Sequence, residues 1–198
     1  YSYTDDELAH LWDNADAVAV VFHGTFTARC ERLRARVPAV QTWIWVDDGT
    51  DPCPSWAVSY EHAAAAITPR VEPTWGRSPD DLYILYTGGT TGMPKGVMWT
   101  HGDLRQTQLN PALMEKVPTN LAEHADIVRE KPGSRFIPAC PQMHGTGLLT
   151  SFGALLMGGC VITLEAPSFD AVELWQVTAR DKGQQIAIVG DAFAKPML

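Results

Sequence analysis

The residues best suited to chemistry lie in one short segment, residues 86–96, which reads Tyr-Thr-Gly-Gly-Thr-Thr-Gly-Met-Pro-Lys-Gly. Its glycines allow the backbone to adopt positive φ and to approach a ligand closely. Successive N–H groups in such a turn form a concave site for oxyanions, and the hydroxyls and the lysine add donors and charge. The segment therefore predicts a polyphosphate site. The candidate binding residues are Thr87, Gly88, Gly89, Thr90, Thr91, Gly92 and Lys95.

A simpler interpretation of the same segment is a β-hairpin turn in which Lys95 is only solvated, because glycine-rich turns are common. The segment also differs from the loop of P-loop NTPases, which requires Gly-Lys followed by Ser or Thr. Here Pro94 precedes Lys95 and Gly96 follows it. The kinase and GTPase interpretations fail on this point, whereas the polyphosphate site and the solvated turn both stay open.

Taken as a whole, the segment resembles the phosphate loop of the adenylate-forming (AMP-binding) superfamily, which includes acyl-CoA synthetases, luciferases and peptide-synthetase adenylation domains. The similarity continues through Val97 and the Thr100-His101-x-x-Leu104 element. Gly88 departs from the family pattern, in which Ser is more common. A glycine there removes one hydroxyl donor and keeps the backbone donors.

A second segment, residues 141–147, reads Pro-Gln-Met-His-Gly-Thr-Gly and resembles the aromatic and histidine motif of the family, usually Pro-x-Phe-His-x-x-Gly. A lone histidine at a helix entry is more often satisfied by local backbone than functional. The resemblance implies instead that His144 lies where the acyl substrate meets the α-phosphate of ATP. Residues 188–196 resemble a subset of bacterial fatty-acyl-CoA ligases.

The resemblance implies the N-terminal adenylation region of an ATP-dependent acyl-CoA synthetase. In that reaction a carboxylate attacks the α-phosphate of ATP, pyrophosphate leaves, and CoA captures the acyl-adenylate. Lys95 and His144 are the implied catalytic residues, with residues 87–95 on the β- and γ-phosphates. Mg²⁺ would neutralise part of the phosphate charge, and the sequence does not identify its ligands. The expected partners are therefore a small-molecule carboxylic acid of the fatty-acid type, ATP and CoA.

Two other functions stay open at this point. One is an adenylation domain that passes an aryl or aminoacyl adenylate to a carrier protein, and the other is a nucleotide-binding module without turnover. The sequence has no initiator Met, and its last residues, 195–198, stop within an apolar pattern without the polar tail that is typical of natural termini. The adenine-binding loop, the ribose-binding acid, the hinge and the C-terminal domain of the family are also absent from it. We therefore expect a fragment that is inactive alone.

Charge and composition narrow the classes of partner. Lys and Arg number 15 and Asp and Glu 23, a net charge of −8, so the chain has no global attraction to nucleic acid or to anionic membranes. The cysteines form no CxxC motif, which excludes zinc ribbons, and reduced thiols indicate a cytoplasmic protein. Residues 145–164 carry no charge and predict a buried helix and strand rather than a transmembrane segment, because Gly158-Gly159 predicts a helix end. The oligomeric state is not predicted.

Helix and strand signals alternate along the chain, which predicts a layered α/β fold with a mostly parallel sheet and flanking helices. The resemblance makes it part of the large N-terminal domain of an adenylate-forming enzyme. We expect leading α/β units over residues 1–66, a linker over 67–79 and a phosphate-loop subdomain over 80–198. The predicted helices are 4–14, 29–36, 55–66, from 100 onwards, 148–157 and 170–182, the last followed by Gly183 as its C-terminal glycine. The predicted strands are 17–22 and 40–46 (both buried on two faces), 82–86, 97–99, 135–139, 161–164 and 186–189; residues 115–134 are predicted to be irregular.

The remaining candidates are predicted to be structural. Four histidines are scattered without ligand-pair spacing, two Asp-Asp pairs lie beside turns where solvated acids are usual, and one histidine falls in the first turn of a helix. Three tryptophans are interpreted as core residues. The scattered histidines are His10, His23, His62 and His124, and the Asp-Asp pairs are Asp47-Asp48 and Asp80-Asp81. The histidine in the first turn of a helix is His101, and the tryptophans are Trp43, Trp45 and Trp99.

Overall fold

The computed structural model describes residues 3–65, 73–87, 92–109, 116–166 and 168–198. The chain forms two compact units, residues 1–101 and residues 102–198. Each combines parallel strands with flanking helices, which confirms the predicted α/β class. Residues 67–72 of the predicted linker lie outside the described ranges. In the part of the chain that is described, no helix is both long and apolar enough to cross a membrane.

The first helix begins at a capping box, as predicted. The Thr4 hydroxyl accepts a 3.2 Å hydrogen bond from the Glu7 N–H, and the Glu7 carboxylate accepts a 2.7 Å bond from the Thr4 N–H. The helix predicted over 55–66 begins later, at Tyr60, and a two-residue strand precedes it. The leading elements are α1 (Asp5–Asn14), β1 (Ala19–His23), α2 (Thr27–Arg34), β2 (Thr42–Val46), β3 (Val58–Ser59) and α3 (Tyr60–Ala65).

Strands β1, β2 and β3 form a parallel sheet in that order. Alternate residues on one face, Val20 and Phe22 of β1 with Trp43 and Trp45 of β2, are at most 7% exposed and pack with Leu33 of α2. The prediction that β1 is buried on both faces is wrong, because its burial alternates strictly along the strand. Helices α1 and α2 pack on the face that carries Val20 and Trp43.

The next two strands, β4 (Leu82–Thr87) and β5 (Lys95–Thr100), form an antiparallel hairpin. Both strands were predicted, and they pair in antiparallel fashion because the connection between them is too short for a crossover. Trp99 is 37% exposed, so its prediction as a core residue is wrong, whereas Trp43 and Trp45 are buried as predicted.

The second unit is built around a parallel sheet with β6 in the centre, in the order β7-β6-β8. Its core contains Ile137 of β6 and Leu174 of α7, both fully buried. Asp170 caps α7 by accepting hydrogen bonds from the N–H groups of Val172 and Glu173. The elements are α4 (His101–Gln108, which begins at the boundary), α5 (Leu121–Glu130), β6 (Arg135–Pro138), α6 (Gly145–Leu156), β7 (Cys160–Val161), α7 (Ala171–Arg180), β8 (Gln185–Ala187) and α8 (Asp191–Ala194).

Helix α5 contradicts the prediction that residues 115–134 are irregular. The Asn120 side chain accepts a 2.9 Å hydrogen bond from the Glu123 N–H and so caps the helix.

The uncharged stretch 145–164 does form a helix followed by a strand, and Gly158 ends that helix with φ +69°. Gly183 differs from its prediction: Lys182 adopts the positive φ of +53° after α7. A β-carbon at Gly183 would lie 2.6 Å from Ile137 Cδ1, so this glycine lets the chain pass close to a buried side chain of β6.

Candidate functional site

The predicted phosphate loop lies at the end of the β4–β5 hairpin. Thr87 and Lys95 are paired across the two strands, and the Thr87 hydroxyl donates a 3.4 Å hydrogen bond to the Lys95 carbonyl oxygen. Directly opposed residues of an antiparallel pair place their side chains on the same face. The structure therefore brings this hydroxyl and this ammonium group to the two ends of the loop. The other candidates Gly88, Gly89, Thr90 and Thr91 lie outside the described residues.

Two contacts fix the base of this loop. A β-carbon at Gly96 would lie 2.8 Å from Ile84 Cγ2 and 3.2 Å from Tyr86 Cζ, so glycine is what lets β5 run close to those side chains. The Tyr86 hydroxyl donates a 2.7 Å hydrogen bond to the side-chain oxygen of Asn14, the last residue of α1. The hairpin is thereby held against α1 within the first unit.

The returning half of the loop leaves Lys95 exposed. Gly92 has φ +155°, a conformation that L residues rarely adopt, and Pro94 is buried. Among the described residues Lys95 forms no ion pair, unlike Lys116 and Lys195. An exposed ammonium group without a carboxylate partner is available to an anion. The hairpin geometry is also that of a solvated turn, so activity measurements must separate the two interpretations.

His144 lies in the second unit, immediately before α6. Its backbone is extended (φ −90°, ψ 141°) and its side chain is exposed. The His144 N–H donates to the Pro141 carbonyl at 3.0 Å, and the His144 carbonyl accepts from the Leu148 N–H at 3.1 Å. Within the described ranges the imidazole ring itself forms no hydrogen bond. Because the first turn of α6 holds no acidic residue, its N–H groups and positive dipole end favour an anionic group beside the ring.

The backbone next to His144 is more constrained than its glycines suggest. A β-carbon at Gly147 would lie 2.7 Å from the Pro141 carbonyl oxygen and 3.0 Å from that of Cys140. Gly147 therefore allows the start of α6 to pack closely against the backbone of residues 140 and 141. Burial raises the pKa of the Cys140 thiol, so this cysteine stays protonated and is unsuited to nucleophilic attack.

A cavity of about 800 Å³ lies in the second unit, at the opposite end of the sheet from His144. Helix α6 runs back along β6, and the Met157 carbonyl accepts a 2.8 Å hydrogen bond from the Gly133 N–H, just before β6 begins. The cavity therefore opens near the amino ends of the strands. Its lining residues come from Lys116, from α5 and the turn after it (Ile127, Glu130, Lys131, Pro132, Gly133, Ser134), from β6 and β8 (Phe136, Gln185) and from one face of α6 with its C-cap (Thr150, Gly153, Ala154, Met157).

Sequence reasoning missed this cavity entirely. The four α6 residues recur at helical spacing i, i+3, i+4 and i+7, which places them on one face. Two of them, Gly153 and Ala154, are small, and a β-carbon at Gly153 would have no atom within 4 Å. That stripe of small residues was the available signal. The opposite wall was hidden because α5 was predicted to be irregular.

The other titratable candidates have structural roles or none. Asp48 accepts hydrogen bonds from the N–H groups of Thr25 and Thr50 and from the Thr50 hydroxyl, which hold the pKa of its carboxyl below the usual value. Asp81 accepts from the Ser78 N–H at 3.0 Å. His101 is the first residue of α4 and exposed. Across the residues with described positions, no His, Cys, Asp or Glu cluster fits a metal ion.

Comparison with known proteins gives a consistent result. A family model described as AMP-binding enzyme matches residues 1–195. The 3-oxocholest-4-en-26-oate–CoA ligase of Rhodococcus rhodochrous is 36% identical over 203 residues, covering 100% of this chain and 36% of the relative. The medium-chain acyl-CoA ligase Mig of Mycobacterium avium is 31% identical over 202 residues, with the same two coverages. The chain thus spans 36% of the length of these relatives.

Solved structures agree on the fold. ATP-bound MatB from Rhodopseudomonas palustris superposes with a TM-score of 0.65 at 27% identity, covering 93% of this chain and 32% of that one. The inhibitor-bound N-terminal domain of FACL13 from Mycobacterium tuberculosis gives a TM-score of 0.68 at 20% identity, covering 98% and 43%. The second similarity concerns the fold alone.

Proposed function

The chain belongs to the AMP-binding enzyme family, and from this premise we propose that it is the nucleotide-activating part of an ATP-dependent acyl-CoA synthetase. The observation that carries the proposal is the identity of 31–36% to CoA ligases of fatty and steroid acids along the whole chain. The hairpin that ends in Thr87 and Lys95 supports it, because a hydroxyl and an ammonium group that has no carboxylate partner among the described residues suit an anionic phosphate. This proposal requires a longer polypeptide, which we call the full-length protein.

The proposed reaction has two steps. A carboxylate oxygen of the acid attacks the α-phosphorus of ATP, and the bond from that phosphorus to the bridging oxygen breaks, so that pyrophosphate leaves with the electron pair. The thiolate sulfur of CoA then attacks the acyl carbonyl carbon, and AMP leaves. Negative charge builds on the pyrophosphate in the first step. Thr87 and Lys95 would bind the β- and γ-phosphates and stabilise that charge.

The residues described here fit Mg²⁺ only as an ion that enters with the nucleotide. Mg²⁺ commonly keeps several waters and binds substrate phosphates with one or two carboxylates. The described residues hold no preformed acidic cluster, and the nucleotide phosphates would supply the ligands. The ion would neutralise phosphate charge, while positioning of the phosphates rests on residues 87–95.

His144 would lie beside the reacting carboxylate and the α-phosphate. Its exposed ring has no hydrogen bond among the described residues, and it is followed by an α6 first turn without acidic residues. This arrangement suits an anionic acid and a phosphate. His144 is therefore assigned to orienting the acid rather than to binding the distal phosphates.

The cavity along α6 would receive the far end of the acyl group. Counted along the helix at 1.5 Å per residue, Thr150 is about 9 Å and Met157 about 20 Å beyond His144. A volume of about 800 Å³ lies in the upper part of the range of about 300–1,000 Å³ that is usual for ligand sites. Such a space favours a long or bulky acid, and relatives named for medium-chain acids and for a steroid carboxylate support this choice.

The experiment is an acid-dependent exchange of pyrophosphate into ATP, followed by detection of the acyl-CoA product by mass spectrometry. The full-length protein is expected to catalyse exchange and to form acyl-CoA with a fatty or steroid acid. The 198-residue chain alone is expected to catalyse neither. Exchange without acyl-CoA formation would favour the alternative in which an adenylate passes to a carrier protein. Nucleotide binding without any exchange would favour a binding module.

A further inference from the structure

The cavity along α6 carries polar side chains at the end that is far from His144. Ser134 comes directly before β6, Gln185 is the first residue of β8, and both line the cavity. The Met157 carbonyl, just after α6, accepts a hydrogen bond from the Gly133 N–H, so this end of the cavity lies beside the end of the helix. An alkyl chain gains nothing from polar groups there. Their presence indicates that the ligand carries more than a hydrocarbon end.

A hydrogen bond between Ser134 and Gln185 determines which part of the amide is left for a ligand. The Ser134 hydroxyl donates a 2.9 Å hydrogen bond to Gln185 Oε1. A glutamine side chain carries two N–H donors on Nε2 in addition to this oxygen. Within the described part of the chain, Gln185 Nε2 has no hydrogen-bond partner. The cavity therefore presents neutral N–H donors at its far end, and their complement is an oxygen atom that accepts.

Other uncharged donors of the cavity wall are engaged within the fold. The Thr150 hydroxyl donates to backbone carbonyl groups one turn earlier in α6. The Gly133 N–H donates to the Met157 carbonyl at 2.8 Å. These groups close backbone hydrogen bonds and have no N–H or O–H left to give. The Gln185 amide is different, because its carbonyl oxygen is bonded and its N–H groups are not.

The charges around this end of the cavity favour a neutral ligand group over an anion. Lys116 and Lys131 line the cavity, and so does Glu130. Lys116 forms an ion pair with Glu123. The two cations are thus balanced by two carboxylates close by. A charged group would lose its hydration here without a net opposite charge to receive it, whereas a neutral oxygen needs only a donor.

We propose that Gln185 Nε2 donates a hydrogen bond to an uncharged oxygen, a ketone or a hydroxyl, at the end of the acid remote from its carboxylate. The inference rests on the proposed function, since it needs the carboxylate beside His144, and it narrows the substrate class from long or bulky acids to acids oxygenated at the far end. Gln185 is then a specificity-determining residue that contacts the substrate about 20 Å from the chemistry, the length of α6.

The test compares two long-chain acids of equal length, one with a ketone at its penultimate carbon and one unsubstituted. For each acid, kcat/KM of acyl-CoA formation is measured with the full-length protein and two variants. Gln185→Met keeps the unbranched shape without any N–H, and Gln185→Glu keeps the acceptor for Ser134 but loses both N–H donors. Gln176→Met is the matched control, because Gln176 is an exposed glutamine on α7 that does not line the cavity.

We expect the ratio of kcat/KM for the ketone acid to that for the unsubstituted acid to fall about two- to tenfold in both Gln185 variants, the effect of one neutral hydrogen bond. The unsubstituted acid should be used as well as by wild type, and Gln176→Met should keep the wild-type ratio. An unchanged ratio in both Gln185 variants would overturn the proposal. So would a wild-type preference for the dicarboxylic acid of the same length over the ketone acid, which would assign this end to the lysines. If Gln185→Met loses both acids through misfolding, the ratio in Gln185→Glu decides.

Calorimetric binding of the two acids to the full-length protein separates this inference from the proposed function. A binding preference for the ketone acid that Gln185→Met removes, in a protein that forms no acyl-CoA, would contradict the proposed function alone. Acyl-CoA formation with a ratio that does not depend on Gln185 would overturn this inference alone. Neither acyl-CoA formation nor Gln185-dependent binding would overturn both.

Discussion

Gly96 lies so close to Ile84 across the β4–β5 hairpin that a β-carbon on Gly96 would be 2.8 Å from Ile84 Cγ2. The same β-carbon would be 3.2 Å from Cζ of Tyr86, whose hydroxyl anchors the hairpin to Asn14. The glycine that ends the phosphate-loop segment therefore serves packing at the loop's base. Any larger side chain must displace a β-branched residue or an anchored ring.

Substitution Gly96→Ala should therefore destabilise the 198-residue chain. Overpacking of this kind typically costs roughly 1–3 kcal/mol, which urea unfolding can measure. Gly153→Ala is the matched control, because its β-carbon would have no atom within 4 Å, and it should be neutral or stabilising since alanine favours helices. A Gly96→Ala chain as stable as wild type would mean that β5 has more space than this packing implies.

Lys95→Ala tests the polyphosphate site in the full-length protein. Because negative charge grows on the leaving pyrophosphate, the loss should appear mainly in kcat, by about 10²–10³-fold, and less in KM for ATP. Lys195→Ala, an exposed lysine paired with Asp191, is the control and should leave kcat unchanged. A kcat within about twofold of wild type, a loss far smaller than one transition-state contact provides, would favour the solvated hairpin turn.

His144→Ala tests the assignment of this ring to the acid rather than to ATP. We expect KM for the acid to rise more than KM for ATP, each measured with the other substrates saturating. His62→Ala, an exposed histidine on α3, is the control for loss of a surface imidazole. An equal rise in both KM values together with a lower melting temperature would show that His144 only supports the start of α6.

Local signals predicted much of this fold because they act within a few residues. The Thr4–Glu7 capping box and the Gly158 helix end were readable from the sequence and are present. Helix α5 was missed because charged residues separate its few large apolar ones, Leu121, Ile127 and Val128, so its Asn120 cap was not distinguished from a loop residue. Likewise Thr87 and Lys95 were predicted as site residues, but their pairing across a hairpin depends on the register of two strands.

Burial was harder to predict than secondary structure. Val20 and Val21 are chemically identical neighbours, yet one is 7% and the other 60% exposed. Sequence shows that both are apolar, whereas which face is covered depends on elements distant along the chain. The cavity beside Gly153 was hidden for the same reason, since it exists only where α5, α6 and the sheet leave a space.

Glu123 should make stability depend on pH. The Lys116 ammonium, together with the Thr119 N–H and hydroxyl, lowers the pKa of the Glu123 carboxyl from 4.5 to about 2. A depressed carboxyl pKa contributes stability that is fully present above pH 4.5 and is lost as the pH falls through about 2. Thermal unfolding of Glu123→Gln should therefore show a shallower loss of melting temperature over that window. Glu61→Gln is the control and should follow wild type; a wild-type slope in Glu123→Gln would remove Glu123 from this role.

The size of the residue at position 153 should set which acids the full-length protein accepts. Gly153 lies on the face of α6 that lines the cavity, with open space where a side chain would project. Ala, Leu and Trp at this position all improve helix propensity over glycine, so a loss of activity cannot come from a weaker helix. Gly153→Leu and Gly153→Trp should progressively lower kcat/KM for a steroid carboxylate or a long-chain acid, by about tenfold or more once several buried methylene contacts are lost.

A short-chain acid, which does not reach the cavity, should be used as well as before, and Gly153→Ala should retain both activities. An equal loss for short and long acids would mean that the substitution distorts α6 near His144, and no loss for either would separate the cavity from the acyl site.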